Sequence, residues 1–172
     1  ERSRGLGDVY KRQDMHVHLS SRSPCSNLSS TQLFNSLSHK IDGICITDHG
    51  ILSPIRNFHG EGLLIFYGVE ITCFEGDLLA YGIKFLPQSK KADHVINHIH
   101  ENGGIAICAH PYSARHNAFE DDVFNHDFDA IELNGGIKKH ENELARKAAK
   151  IMDLPLIGGS DAHFPHQLNT YA

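Results

Sequence analysis

The chain has no tryptophan, no Cys-x-x-Cys pair and no long apolar run. Nothing approaches the ~20 apolar residues that a membrane-spanning helix requires, and no secretory hydrophobic region is present. The four cysteines, Cys25, Cys45, Cys73 and Cys108, do not form a disulfide framework by their spacing. Cys45, Cys73 and Cys108 lie in or beside apolar runs, where a thiol behaves as a small hydrophobe, and the pattern fits a reducing cytoplasm. Positive charge is also short, with 16 Lys and Arg against 21 Asp and Glu and a net charge of −5. With 9 Phe and 5 Tyr, this balance gives little support to a basic groove lined with stacking platforms. What remains is ordinary for a soluble globular domain: 172 residues, 40% hydrophobic and 22% charged, enough for one real core.

Histidine is the exception to this plainness, at 14 residues. Five of them, with three carboxylates, fall at the ends of short apolar runs: His16 and His18, Asp48 and His49, Glu70, His110, then Asp161 and His163. Parallel barrel strands bring their carboxyl ends to one rim, so residues at successive strand ends converge in space. Imidazole with carboxylate suits zinc, iron or manganese, and the pattern predicts a metal-dependent hydrolase. The His16-x-His18 spacing puts both rings on one side of an extended strand, and Asp161-x-His163 repeats it. Asp48 and His49 are adjacent, so both reach one site only if the chain turns, which Gly50 permits; otherwise Asp48 orients a ligand histidine. Glu70 ends an apolar strand, where an unpaired carboxylate is expensive to bury. The other nine histidines, in helical stretches and loops, are expected mostly in solvent, with His116 near enough to touch substrate.

Apolar runs and helical patterns alternate. Strands are expected at 14–19, 41–47, 63–72, 78–85, 105–109, 130–134 and 156–160, the fourth able to pair as a hairpin with the third. Helices are expected at 31–40, capped by Ser29 or Ser30, at 90–102 with Val95, Ile96 and Ile99 inward, and at 138–152 built on Leu144, Ala148 and Ile151. A short helix is expected at 119–124. This order argues for an α/β fold with a parallel sheet whose ligands gather at the strands' carboxyl ends. Residues 1–13 are basic, lack apolar periodicity and resemble translated linker sequence; a native disordered arm is the alternative. Residues 14–172 form the expected domain, which ends nine residues after His163 without a closing helix and so reads as a fragment.

Five motifs carry a family resemblance. Asp14-Met15-His16-Val17-His18, Thr47-Asp48-His49, Gly68-Val69-Glu70, Ala109-His110-Pro111 and Gly159-Ser160-Asp161-Ala162-His163 resemble, in order and approximate spacing, those of the PHP (polymerase and histidinol phosphatase) superfamily. The resemblance implies a distorted (β/α)7 barrel with two or three divalent metal ions at the carboxyl rim, and phosphoester hydrolysis. It also implies that His16, His18, Glu70 and Asp161 hold one metal, and that Glu70 bridges to a second that takes His110. His49 and His163 would serve a third metal, or the substrate phosphate and proton transfer. The chain departs from the pattern twice. No histidine lies in the 19–26 loop just after the first pair, where Cys25 is the other ligand type, and Asp77 stands where many relatives have a histidine. As a ligand Asp77 favours manganese or iron over zinc; it also reads as a loop residue.

The expected reaction is attack on phosphorus by water activated between cations, with His163 or His49 protonating the leaving oxygen. Arg115, five residues after His110, is the candidate phosphate cation, its other reading being a surface arginine; Arg22 and Lys138 are weaker candidates. Glu132 reads as a structural contact and Asn134 as a weak or indirect ligand. The expected substrate is a small phosphorylated molecule. The alternatives are a nuclease acting on oligonucleotide ends and a non-catalytic metal-stabilised module.

Overall fold

Seven short strands bond edge to edge in chain order: β1 (Gln13–Val17), β2 (Gly43–Ile46), β3 (Leu64–Thr72), β4 (Asp77–Tyr81), β5 (Ile105–Cys108), β6 (Ala130–Asn134) and β7 (Leu156–Gly159). The computed structural model describes residues 12–37, 41–56, 58–60, 62–168 and 170. Most of the 1–13 segment therefore lies outside the described residues. Gln13 belongs to β1, and the Arg12 carbonyl accepts the N–H groups of Asp42 and Gly43.

The sheet curls into a nearly closed barrel. At its seam His18 N–H donates to the Ala162 carbonyl at 3.1 Å, and Val17 pairs with Ala162 in parallel. Further down the seam, the buried Asp14 carboxylate stands in for a strand and accepts Ser160 N–H at 2.8 Å. Parallel pairing joins β1, β2 and β3 and again β5, β6 and β7, but β4 is antiparallel to both its neighbours. The all-parallel expectation fails at β4, because a tight connection after β3 returns the chain as the hairpin that the spacing allowed. The reversal has a consequence for the site. The first residue of β4, Asp77, lies beside the carboxyl ends of the other strands.

Three α-helices pack outside: α1 (Ser30–Ser36), α2 (Ala92–Glu101) and α3 (Lys139–Met152). Ser29 begins α1 as one half of a capping box with Gln32, worth about 1 kcal/mol. The end expected for this helix, 38–40, lies outside the described residues. In α2, Val95, Ile96 and Ile99 face the sheet as the periodicity predicts. In α3 the buried face is Ala145, Ala148 and Ala149 instead, with Leu144 40% and Ile151 72% exposed. The expected core of α3 is therefore corrected at two of its three residues. Small alanines let the helix axis approach the sheet closely, and that fit outweighs side-chain size.

The barrel interior divides by end. A buried group of Leu79, Ile107, Ala109 and Ala130 lies inside, with Tyr81 and Ile157 packed against it. Near the amino ends of the strands, Met15, Cys45, Phe66 and Ile157 line an apolar cavity of about 670 Å³, where Tyr81 O–H donates to the Met15 carbonyl. The polar, titratable side chains gather at the other end.

Candidate metal centre

His16 and His18 leave β1 on the same side, as the two-residue period requires, and their Nε2 atoms stand 3.0 Å apart. Two carboxylates close on the same point. Glu70 Oε2 lies 3.4 Å from His16 Nε2 and 3.1 Å from His18 Nε2, and Asp161 Oδ1 lies 3.5 and 3.3 Å away. All four side chains are buried. Four groups that offer lone pairs to one buried point repel each other unless a cation, or protons on the imidazoles, sit among them. The donor set therefore fits a divalent metal, and mixed imidazole and carboxylate suits zinc, iron or manganese.

The remaining expected residues extend this cluster in two directions. Toward β2, His49 Nε2 is 3.3 Å from Glu70 Oε2, and the rings of His49 and His163 both pack against His18, with centroids 4.8 and 4.5 Å away. Donor atoms of His18, His49 and His163 lie within 4.8 Å of one another. Toward β5, His110 Nε2 is 3.2 Å from Glu70 Oε1, and Glu70, Asp77 and His110 form another such group. Each carboxylate oxygen of Glu70 thus faces a different set of imidazoles, the arrangement a bridging ligand needs.

The backbone bends to make this possible. His110 and Asp161 take positive φ, 29° and 52°, and Gly50 takes 64°. The first two are unusual for residues with a Cβ, and each costs about 1–3 kcal/mol, a strain that concentrates at functional sites. His163 is steadied from behind, since its N–H donates to Gln167 Oε1 at 2.8 Å.

Asp48 is the residue the structure keeps out of the cluster. Its Oδ1 accepts Leu19 N–H at 2.8 Å and Ser23 O–H at 2.7 Å, and its Oδ2 accepts Arg22 Nε at 2.8 Å. With both oxygens committed to protein donors, its expected place as a ligand is corrected. Asp48 follows β2 with its side chain turned opposite to His49, and holds the Ser20–Ser30 loop. Its reach to the centre is through Ser23, whose Oγ lies 3.4 Å from His18 Nδ1. Arg22 is absorbed by the same contacts. Arg115 is exposed, and its next neighbour, His116, enters the cluster instead, 3.7 Å from Asp161 Oδ2.

Glu132, in the middle of β6, is wholly buried and proves central to orientation. Its Oε1 is 2.8 Å from His16 Nδ1, while Oε2 accepts His110 N–H at 2.9 Å and Asn134 Nδ2–H at 3.0 Å. A carboxylate only accepts, so His16 Nδ1 carries a proton, and loss of the second proton frees the Nε2 lone pair toward the centre. The isolated Glu in Ala130-Ile131-Glu132-Leu133 is the signal for this role, the same one that marks Glu70. Gly159 makes room for the pair. A Cβ there would lie 2.1 Å from Glu132 Oε1 and 2.6 Å from His16 Cβ.

The charges follow from this crowding. Burial opposes an imidazolium at His16, but Glu132, Asp161 and Glu70 together hold its pKa well above the ordinary value. Burial also works against the charged forms of Glu70 and Asp161, and the surrounding histidines overcome it, leaving both below the usual carboxylate range. Burial, and after it the Glu70 charge, pushes Asp77 up to about 6. A cation among these groups would relieve the last shift and displace the His16 proton.

Known proteins resemble this chain in one segment and in fold. Residues 139–169 match the model of a family described as PHP-associated. An uncharacterized protein of Methanocaldococcus jannaschii is 31% identical over 98 residues, 54% of this chain and 57% of that relative. The match thus spans little more than half of the relative's length. PsfC from Pseudomonas syringae shares the fold with a TM-score of 0.74 at 16% identity, over 92% of this chain and 79% of its own. A proposed metal-dependent phosphoesterase from Bifidobacterium adolescentis gives 0.67 at 15% identity, over 90% and 88% of the two chains. An amidohydrolase from Chromobacterium violaceum, with sulfate bound and no metal, gives 0.65 at 13% identity, over 88% and 87%. At these identities the three structures speak to the fold alone. The ordered motifs, the seven-stranded barrel and the PHP-associated segment point the same way, and together they support the resemblance to the PHP superfamily.

Proposed function

We propose that this protein is a metal-dependent hydrolase that cleaves phosphate esters of small molecules. The observation that carries the reading is the convergence of His16, His18, Glu70 and Asp161 on one buried point, with nitrogen–oxygen separations of 3.1–3.5 Å. These four would hold the first cation, and Glu70 with His110 and Asp77 a neighbouring one. Divalent ions there would supply positive charge for the phosphoryl oxygens and would acidify water. The ions would be zinc, manganese or iron, two or three in number.

The chain's own groups do the rest. Glu132 fixes the His16 tautomer, and Ser23, held by Asp48, borders His18. His49 is 40% exposed at its side chain, and burial lowers its pKa, so it is neutral near pH 7 and placed to accept a proton. His163, whose ring also packs against His18, is the candidate to return a proton to the leaving oxygen. A cavity of about 360 Å³ adjoins the cluster, with His49 and Glu70 in its wall and Leu86, Pro87 and Lys90 opposite. It offers space for the ester's organic portion. Lys90 and Arg115 are the cations available to the phosphate, Arg115 by its fork geometry.

Purified protein assayed for bound metal and for turnover of phosphomonoesters, phosphodiesters and amides tests this reading. Metal-dependent release of phosphate is expected, and Glu70→Gln should abolish it while the protein stays folded. A folded protein that carries metal but cleaves only amides, or nothing, would refute phosphoester hydrolysis.

A further inference from the structure

His116 belongs to none of the five motifs, yet its ring stands at the end of the row of imidazoles that crosses the rim. His116 lies against His110 with centroids 4.6 Å apart, His110 against His16 at 5.9 Å, His16 against His18 at 4.9 Å, and His18 against His49 and His163. One donor atom each from His110, His116 and Asp161 lies within 4.8 Å of the other two. Asp161 Oδ1 faces His16 and His18 while Oδ2 faces His116, so this carboxylate also presents its two oxygens to different imidazoles. At the end of β6, Asn134 has no part in this: its Nδ2 donates to Glu132 and its Oδ1 accepts Gly136 N–H at 2.7 Å.

The loop that brings His116 is shaped to deliver it. Ser113 Oγ accepts the N–H groups of both Arg115 and His116 at 3.2 Å, which turns the chain back toward the rim. The loop is tied on either side, by Ala114 N–H to Glu141 Oε1 at 3.3 Å and by Asn117 Nδ2 to the Cys73 carbonyl at 2.8 Å. Between these ties the His116 side chain is 33% exposed and reaches Asp161 and His110.

We propose that His116 is itself a metal ligand, completing a cation position with His110 and Asp161. Loading that position fastens the 111–119 loop to the barrel and sets Arg115 over the rim. The inference rests on the reading of the rim as a metal centre, and no step of the hydrolysis is needed to test it.

Metal-stripped wild type and His116→Ala are loaded with manganese, desalted and assayed for bound metal. Both are then digested with trypsin, whose target here is the bond after Arg115. Wild type should retain one equivalent more than the variant, and manganese should slow the cut after Arg115 in wild type only. With cobalt, His116→Cys should show a near-ultraviolet thiolate-to-metal band absent from wild type. A wild type that takes up no divalent ion removes the metal centre and this inference together. A wild type that loads metal, with His116→Ala equal to it in equivalents and protection and no band in His116→Cys, overturns the His116 assignment alone.

Discussion

Replacing Glu132 with glutamine should separate the geometry of the proposed metal centre from its proposed ligands, because the substitution keeps shape and loses one acceptor. In the native barrel Glu132 takes three donors, His16 Nδ1, His110 N and Asn134 Nδ2, on two oxygens. A glutamine has one oxygen and one NH2 group. With the NH2 toward His16, the imidazole must accept at Nδ1, and its proton moves to Nε2, the atom facing the metal position. With the NH2 the other way, it opposes two N–H donors in a fully buried space, which costs about 1–3 kcal/mol. Neither orientation satisfies the site. Loss of the carboxylate behind a ligating histidine lowers metal affinity about 10- to 100-fold, or about 1.4–2.7 kcal/mol. Competition of wild type and Glu132→Gln against a chelating indicator measures the difference directly, with urea unfolding of the metal-free forms alongside. A variant that binds metal as tightly as wild type would show that the His16 tautomer is not set by Glu132.

Gly159→Ala forces a methyl group to 2.1 Å from Glu132 Oε1, an overpacking that should cost about 1–3 kcal/mol and weaken metal binding as well; an unchanged melting temperature and affinity would count against the close approach. Asp48→Ala strips the buried acceptor from Arg22, Ser23 and Leu19 and should lower stability by about 3 kcal/mol or more, yet folded protein should bind its full complement of metal. A loss of metal equivalents in folded Asp48→Ala would restore Asp48 to the ligand set. Metal uptake should release protons, since His16 is held protonated by Glu132, Asp161 and Glu70 against its burial, and apparent affinity should rise with pH up to its raised pKa. Calorimetry in buffers of different ionisation enthalpy reads the proton count, and a count of zero near neutrality would exclude a protonated His16. In the metal-free protein the His16 contribution to stability is complete below 6.5 and is lost as pH rises through the raised folded value. The Glu70 and Asp161 contributions are present above 4.5 and 3.8 and are lost as pH falls through their depressed folded values.

Strand positions were legible because each is a short apolar run closed by a turn residue, and a barrel places such runs side by side. Strand direction was not, since a hydrophobic run reads alike in both senses; β4 shows this, and its reversal is what brings Asp77 to the rim. The inward face of α3 was hidden for another reason. Leu144 and Ile151 outweigh alanine in any hydrophobic pattern, but the distance between helix and sheet selects for small side chains, a property of the packed pair. The clustered side chains at strand ends could be read because their places follow from the strands, as with His16, His18, Glu70, His110 and Asp161. Loop residues carry no such constraint. The direction of His116 is settled by where Ser113 turns the chain, and nothing in the spacing of Arg115 and His116 says which of the two faces inward. Glu132 falls between these cases. It was visible as a lone carboxylate in an apolar strand, but its partner lies 116 residues away in sequence, and only closure of β1 beside β7 brings them together. The site therefore depends on the seam of the barrel. Asp14, Ser160 and Gly159 join β1 to β7 directly beneath His16, so a change that loosens this seam should disturb metal binding before it unfolds the rest of the sheet.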